Sequence, residues 1–259
     1  QKDQRLYVFY HIYIPPDPEH ALSVIEEQLN QVGSASAVST SSGPSAQYNS
    51  TTVFYNTIGK KVNETFVEQV CQNNNLQCHY LNHYEKGFEF ITLQDIQEFF
   101  TYTAIHDNYN LVYLHSKGTF HSQKESNVHL RRSMTTATNS NECHTALEQD
   151  TCNTCGLIFS AIRSPFYPGN FWAAQCRYID QLLDPFEFRL KLEKATKRAR
   201  RLRTRGKLTL HLLPELPSTL GLGRYAAEFW AGSHPSIRPC DVSNPDKHTW
   251  KYCCLLYTS

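Results

Sequence analysis

A layered α/β fold with a mostly parallel central sheet is what the order of elements in this 259-residue chain predicts. Three observations carry it. Residues 5–14, RLYVFYHIYI, form a β-rich run closed by Pro15 and Pro16. Strand and helix patterns then alternate, the order that gives parallel strands joined by right-handed crossovers. Finally, Leu111, Val112, Tyr113 and Leu114 make a short apolar run, suited to a strand buried on both faces, that stops at His115, Ser116, Lys117 and Gly118. In open α/β sheets ligands bind outside the carboxyl ends of the strands, so this packet stands where a site is expected.

After the opening strand, Asp17 or Pro18 starts a helix through Gln31, with Ala21, Leu22, Val24, Ile25, Leu29 and Val32 on one stripe. Residues 33–50, rich in Ser, Ala and Gly, read as a flexible surface loop. Residues 51–58 return to strand composition and Gly59 ends them. A short helix over 64–73 and a strand over 77–84 follow. Thr92 with Asp95 resembles a capping box, starting a helix with Leu93, Ile96, Phe99, Phe100 and Thr103 on one face. Beyond the packet, helices are expected over 126–138 and 142–150, a strand over 157–161, a turn at 166–170 and an amphipathic helix over 171–183.

Residues 189–207 hold ten Lys/Arg and one Glu, a solvated basic helix or exposed insertion, or a groove for acidic glycans, anionic headgroups or nucleic acid. An apolar stretch, 208–213, and a Pro-punctuated loop lead to 223–241, helical in its first half and Pro-broken in its second.

Composition narrows the function classes. Lys+Arg of 25 against Asp+Glu of 24 leaves a formal charge of +1, so no global field draws the chain to nucleic acid or a membrane surface. No apolar stretch has the length needed to cross a bilayer. The first residue is Gln and the one Met is Met134, so the start of translation is expected upstream, with room there for a signal peptide or membrane anchor. Residues 254–259, CLLYTS, read as a non-native, adapter-like tail. Nine cysteines and two glycosylation sequons, at Asn49 and Asn63, favour a secretory-pathway lumen, with a cytoplasmic home as the alternative. Disulfides among Cys143, Cys152, Cys155 and Cys176, and between Cys71 and Cys78, are favoured over a zinc set, because only one closely spaced pair is present.

Three clusters could carry chemistry. In the packet, Lys117 offers a point charge, Gly118 a closely approachable backbone and His115 a proton carrier, with His121 nearby, an arrangement suited to a diphosphate or another anion. Its glycine spacing fits neither a Walker loop nor a dinucleotide fingerprint. A strand-end His is also an ordinary structural residue. The second cluster is FYPGNFW: Gly169 and Asn170 permit close backbone approach, and Tyr167 and Trp172 are types that stack on sugars, although Trp172 suits a core anchor equally. The third is Arg224, Glu228, His234 and Asp241. Arg224 and Glu228, four apart, make either a surface pair or, through Glu228, a general base for an acceptor hydroxyl, with His234 and Asp241 orienting substrate.

The order of these motifs, YLHSKG, then FYPGNFW leading into RYIDQLLDP, then AAEFW, resembles the glycosyltransferase-like domains of the rhamnan-synthesis F type over roughly residues 5–241. Those proteins pair an H-[ST]-K strand end with a G-x-M-F-W-x-R segment and a later E-R-x helix. The resemblance implies one GT-A-like, Rossmann-like domain over residues 1–253 that transfers a sugar from a nucleotide-sugar donor to a glycan or other hydroxyl acceptor. By position it puts His115 and Lys117 near the donor diphosphate, Gly169, Asn170 and Trp172 near sugar and acceptor, and makes Glu228 the base. Ala173, Ala174 and Gln175 stand where that family carries its Arg. No Asp-x-Asp follows any expected strand, so the usual carboxylate clamp for a divalent metal is missing, although a divalent metal stays open as a cofactor. The alternative is a non-catalytic carbohydrate- or anion-binding protein on the same fold.

Overall fold

The computed structural model describes residues 5–38, 50–102, 109–119, 125–160, 165–204 and 221–242. His121, Asn49, the 208–213 stretch and the 254–259 tail lie outside them. In chain order the elements begin β1 (Arg5–Ile14), α1 (Glu19–Val38), β2 (Ser50–Gly59), α2 (Glu64–Asn73), β3 (Gln77–Tyr84), α3 (Phe90–Tyr102) and β4 (Asn110–His115). There follow α4 (Glu125–Thr138), α5 (Asn141–Glu148), β5 (Thr154–Gly156), β6 (Trp172–Gln175), α6 (Cys176–Ile179), α7 (Pro185–Thr204), a 3₁₀ segment (Gly223–Gly232) and β7 (Pro239–Asp241).

The strands join in one seven-stranded sheet of order β3-β2-β1-β4-β6-β5-β7. The neighbours β3–β2, β2–β1, β1–β4 and β5–β7 are parallel, and only β6 runs against its neighbours. The fold is therefore α/β with a mostly parallel sheet.

Period-2 alternation in β1 explains the layering. Leu6, Val8, Tyr10, Ile12 and Ile14 face a core shared with α1, α2, α4 and α5, whereas Tyr7 and Phe9 face one shared with α3, α6 and the 3₁₀ segment. Both faces of the sheet are thus covered, which is why β1 and β4 read as nearly continuous apolar runs.

Four local expectations are corrected. Helix α1 continues through Gly33 to Val38, into the stretch expected as loop. Helix α3 starts at Phe90, so Thr92 is no cap; it is buried and shares hydrogen bonds with His11 and Asn56. The strand expected at 157–161 lies earlier, at Thr154–Gly156, with only an isolated bridge from Ser160 to Phe166. The helix expected over 171–183 opens instead as β6. Phe171 and Ala173 pack into one core and Trp172 and Ala174 into the other, a period of two that only an extended chain between two layers can satisfy.

Among the described residues three disulfides close the fold: Cys71–Cys78, Cys143–Cys155 and Cys152–Cys240. Cys176 is a buried free thiol, pushed up in pKa by that burial. The expected pairing among the middle four cysteines holds for Cys143 with Cys155, but Cys152 reaches Cys240 and Cys176 takes no part. Among the described residues no helix is long and apolar enough to cross a membrane.

Candidate functional site at the sheet switch point

Strand order reverses between β1 and β4, the point where connections leave in opposite directions and open a crevice. The register from Leu6↔Asn110 ends at His11↔His115, while β1 continues beside β2 as far as Ile14↔Gly59. Ser116 takes over where pairing stops. Its N–H donates to His11 O at 3.0 Å, and its Oγ accepts from the Tyr13 N–H at 2.7 Å.

The cleft beyond these strand ends has a volume of about 1320 Å³. Small-ligand sites run to roughly 300–1,000 Å³, so a ligand of two linked parts has room. Its wall includes the ends of β1 and β2, the connection from β3 to α3, the packet after β4, and the start of the 3₁₀ segment. Four cationic side chains line it, Lys60, Lys86, Lys117 and Arg224, with three carboxylates, Glu85, Glu89 and Glu228.

The packet is held from below. Arg131, 3% exposed, donates from Nη1 to Lys117 O at 3.0 Å and pairs with Glu27 at 2.9 Å. Burial alone would push the Glu27 carboxyl up, but hydrogen bonds from Arg131 and Arg132 outweigh it and the net shift is downward. The buried Gln28 side chain donates to His115 O and Thr135 Oγ1 and accepts from Tyr10 Oη, joining α1 to both strands and α4.

His115 Nε2 lies 2.7 Å from Gly169 O. A carbonyl only accepts, so Nε2 carries the proton. Burial, with Lys117 and Arg224 adding to it, pushes the ring down to about 3, which fixes it as neutral imidazole. Its Nδ1 is then a lone pair, 4.0 Å from Glu89 Oε1. Although that carboxylate and the Nε2 bond to Gly169 O both favour imidazolium, burial and the two cations decide for the neutral ring. His11, buried beside the same carboxylate, is pushed down to about 4 by burial and Nδ1 meets Thr92 Oγ1 at 2.9 Å.

Of the residues expected from sequence, His115, Lys117, Gly118, Arg224 and Glu228 line this one cleft. Arg224 lies over the Tyr225 ring, 4.8 Å from its centroid. Gly169 and Asn170 stand behind the wall. Gly169 has φ +81, and a Cβ there would come within 2.8 Å of Met134 Sδ. Asn170, wholly buried with φ 56, donates from Nδ2 to Glu89 Oε2 and accepts from Trp172 Nε1 at 3.1 Å. Trp172 has no exposed surface and stacks on Tyr113 in the core, centroids 5.4 Å apart; Tyr167 is buried, its hydroxyl on Thr154. His234 bonds Ser236, and Asp241 accepts from the Phe159 N–H; neither lines the cleft.

Sequence reasoning missed Glu89 and Lys60. Glu89 sits in the connection EKGFEF, which matches no motif, and only the contiguity of strand ends brings it opposite His115. For a divalent metal the residues do not fit: among those described, no three His, Cys, Asp or Glu side chains stand together to hold an ion.

A family model matches residues 9–256, and the chain belongs to that family, the domain of unknown function DUF8361. No curated protein matches. Among solved structures the chain is similar to a protein of Desulfovibrio desulfuricans G20 provisionally assigned as a nucleotide-diphospho-sugar transferase, at 10% identity and TM-score 0.34, covering 88% of this chain and 94% of that one. A likeness of that degree supports no conclusion about either fold or function.

Proposed function

We propose that the cleft takes a nucleotide-activated sugar, with its diphosphate toward Lys117 and Arg224, and passes the sugar to a glycan or other hydroxyl acceptor. The observation that carries this reading is the placement of cations and carboxylates together in a cleft at the switch point of a mostly parallel sheet, where the crevice lies outside the strand ends. In the step itself the acceptor oxygen forms a bond to the anomeric carbon, the bond from that carbon to phosphate breaks, and the diphosphate leaves with the electron pair. The acceptor proton passes to the Glu228 carboxylate. Lys117 and Arg224 offset charge developing on the leaving group. No step is routed through a metal, since no three His, Cys, Asp or Glu side chains among the described residues stand together to hold one.

The test is a thermal-shift screen of nucleotide-sugars followed by a turnover assay. A specific ligand raises the melting temperature by mass action, and Lys117→Ala or Glu228→Ala each abolishes turnover while the protein stays folded. Activity surviving both substitutions sinks the assignment. Binding without turnover in the unaltered protein establishes the second reading, a non-catalytic carbohydrate binder, which the missing Asp-x-Asp favours.

A secretory-pathway lumen, the Golgi included, suits three disulfides. Asn63 is exposed at the start of α2, its Oδ1 occupied by the Thr65 N–H, which leaves the amide nitrogen open to glycan attachment. On α7, Lys191 pairs with Glu187, and Arg189 and Lys197 pair with Glu193, as on a solvated helix surface.

A further inference from the structure

A chain of buried hydrogen bonds runs behind the cleft wall, and its polarity can be read link by link. The Trp172 indole N–H is a donor only, so the Asn170 atom it meets is the amide oxygen. The Asn170 NH₂ must therefore face Glu89, and it donates to Oε2. That leaves Glu89 Oε1 toward the cleft. From the other side, Gly169 O fixes the proton of His115 on Nε2 and leaves the Nδ1 lone pair toward the same point. Two acceptors thus face each other at 4.0 Å, and neither can bond the other.

We infer that Glu89 Oε1 and His115 Nδ1 form an acceptor pair that binds vicinal hydroxyls of the sugar, separate from the Lys117 and Arg224 side that takes the diphosphate. The inference rests on the sugar-nucleotide reading of the cleft and gives the ligand a direction within it. The phosphate oxygens of a nucleotide-sugar cannot sit at the pair: its diphosphate, esterified at both ends, has no proton to give near neutral pH, and a carboxylate repels it. Neighbouring hydroxyls of a sugar offer two donors and can give one to each acceptor. Both side chains are 15% exposed, so the pair is open to a ligand and largely dry, which strengthens such bonds. His115, expected from sequence to meet the diphosphate, becomes a sugar contact. Asn170 becomes a positioning residue, because it reaches the ligand only through Glu89.

The inference is tested on the full chain labelled with ¹⁵N histidine, titrated separately with methyl glycosides of glucose, galactose, mannose and fucose and with inorganic pyrophosphate. The expected result is an Nε2–H tautomer for His115 and an Nδ1 resonance that moves with at least one glycoside and stays with pyrophosphate. Glu89→Gln lowers the affinity for that glycoside about tenfold or more, the cost of losing a hydrogen bond to a charged acceptor, and does not weaken pyrophosphate binding, since a repelling carboxylate is lost. Asn170→Asp, which replaces the donor by a second carboxylate, weakens the glycoside without displacing pyrophosphate. An Nδ1–H tautomer, or Nδ1 moved by pyrophosphate and by no glycoside, overturns the inference. If glycosides move Nδ1 but pyrophosphate binds nowhere, the acceptor pair stands and the sugar-nucleotide reading falls.

Discussion

Asn170 shows how much a single side chain can carry at this site. It holds a left-handed backbone, φ 56, which Asn tolerates better than other residues with a side chain, and it follows Gly169, also at positive φ. Asn170→Gly relieves the backbone and removes the amide. The buried Trp172 N–H then has no acceptor, and Glu89 loses its donor. Stability is expected to fall by about 1–3 kcal/mol in urea denaturation, the cost of a buried unpaired polar group. An unchanged midpoint would mean that water replaces the amide. Arg131 belongs to the same scale. Arg131→Leu leaves the Glu27 carboxylate with Arg132 alone and releases Lys117 O, so a loss of about 3 kcal/mol is expected, with faster amide exchange in residues 116–119. The sequence made Asn170 visible, because Gly-Asn beside aromatics is an unusual backbone signal. Its partner Glu89 was invisible, because carboxylates between elements are common and nothing local marks one that a strand end will later face.

At the scale of elements, β1, α2 and β3 were legible to within a residue, since their side-chain periods and end signals agree. Segment β6 was not. FWAAQCRYIDQLL carries apolar residues at helical spacing, and only its position between two cores, invisible in one dimension, selects the strand for Trp172–Gln175. The far edge of the sheet was illegible for a similar reason. Strand β7 has three residues and stays beside β5 through Cys155↔Cys240 pairing and the Cys152–Cys240 disulfide, a contact between parts 88 residues apart. Chain-entropy reasoning ranks the bridges: removing Cys152–Cys240 with two Cys→Ser changes should cost about 4–5 kcal/mol, against about 2–3 kcal/mol for Cys71–Cys78, which is separated by 7 residues. Denaturant midpoints of the two double variants check the order. Equal losses would place the stabilisation in the folded state and not in loop closure.

For the molecule as a whole, the buried histidines link stability to pH. His11, His115 and His144 are pushed from an ordinary 6.5 down to about 4, 3 and 4, burial being the largest cause each time. Between those values and 6.5 the unfolded chain binds protons that the folded one refuses. Their contribution is therefore fully present above 6.5 and is lost as pH falls through that window. With three such groups the slope reaches at most about 4 kcal/mol per pH unit near pH 5. Glu27 acts in the same direction further into acid, since its folded carboxyl titrates below its ordinary value. Asp95, raised by burial, works against it there. Urea midpoints measured from pH 8 to pH 4.5 should be level above about 6.5, the ordinary histidine value, and fall steadily below it. A flat profile to pH 5 would mean that these rings are protonated in the fold. The same measurement bears on the cleft, because a protonated His115 would turn Nδ1 from acceptor to donor and close it onto Glu89. If the slope near pH 5 reaches the value for three histidines and falls by about a third in His115→Gln, His115 is still an acceptor there.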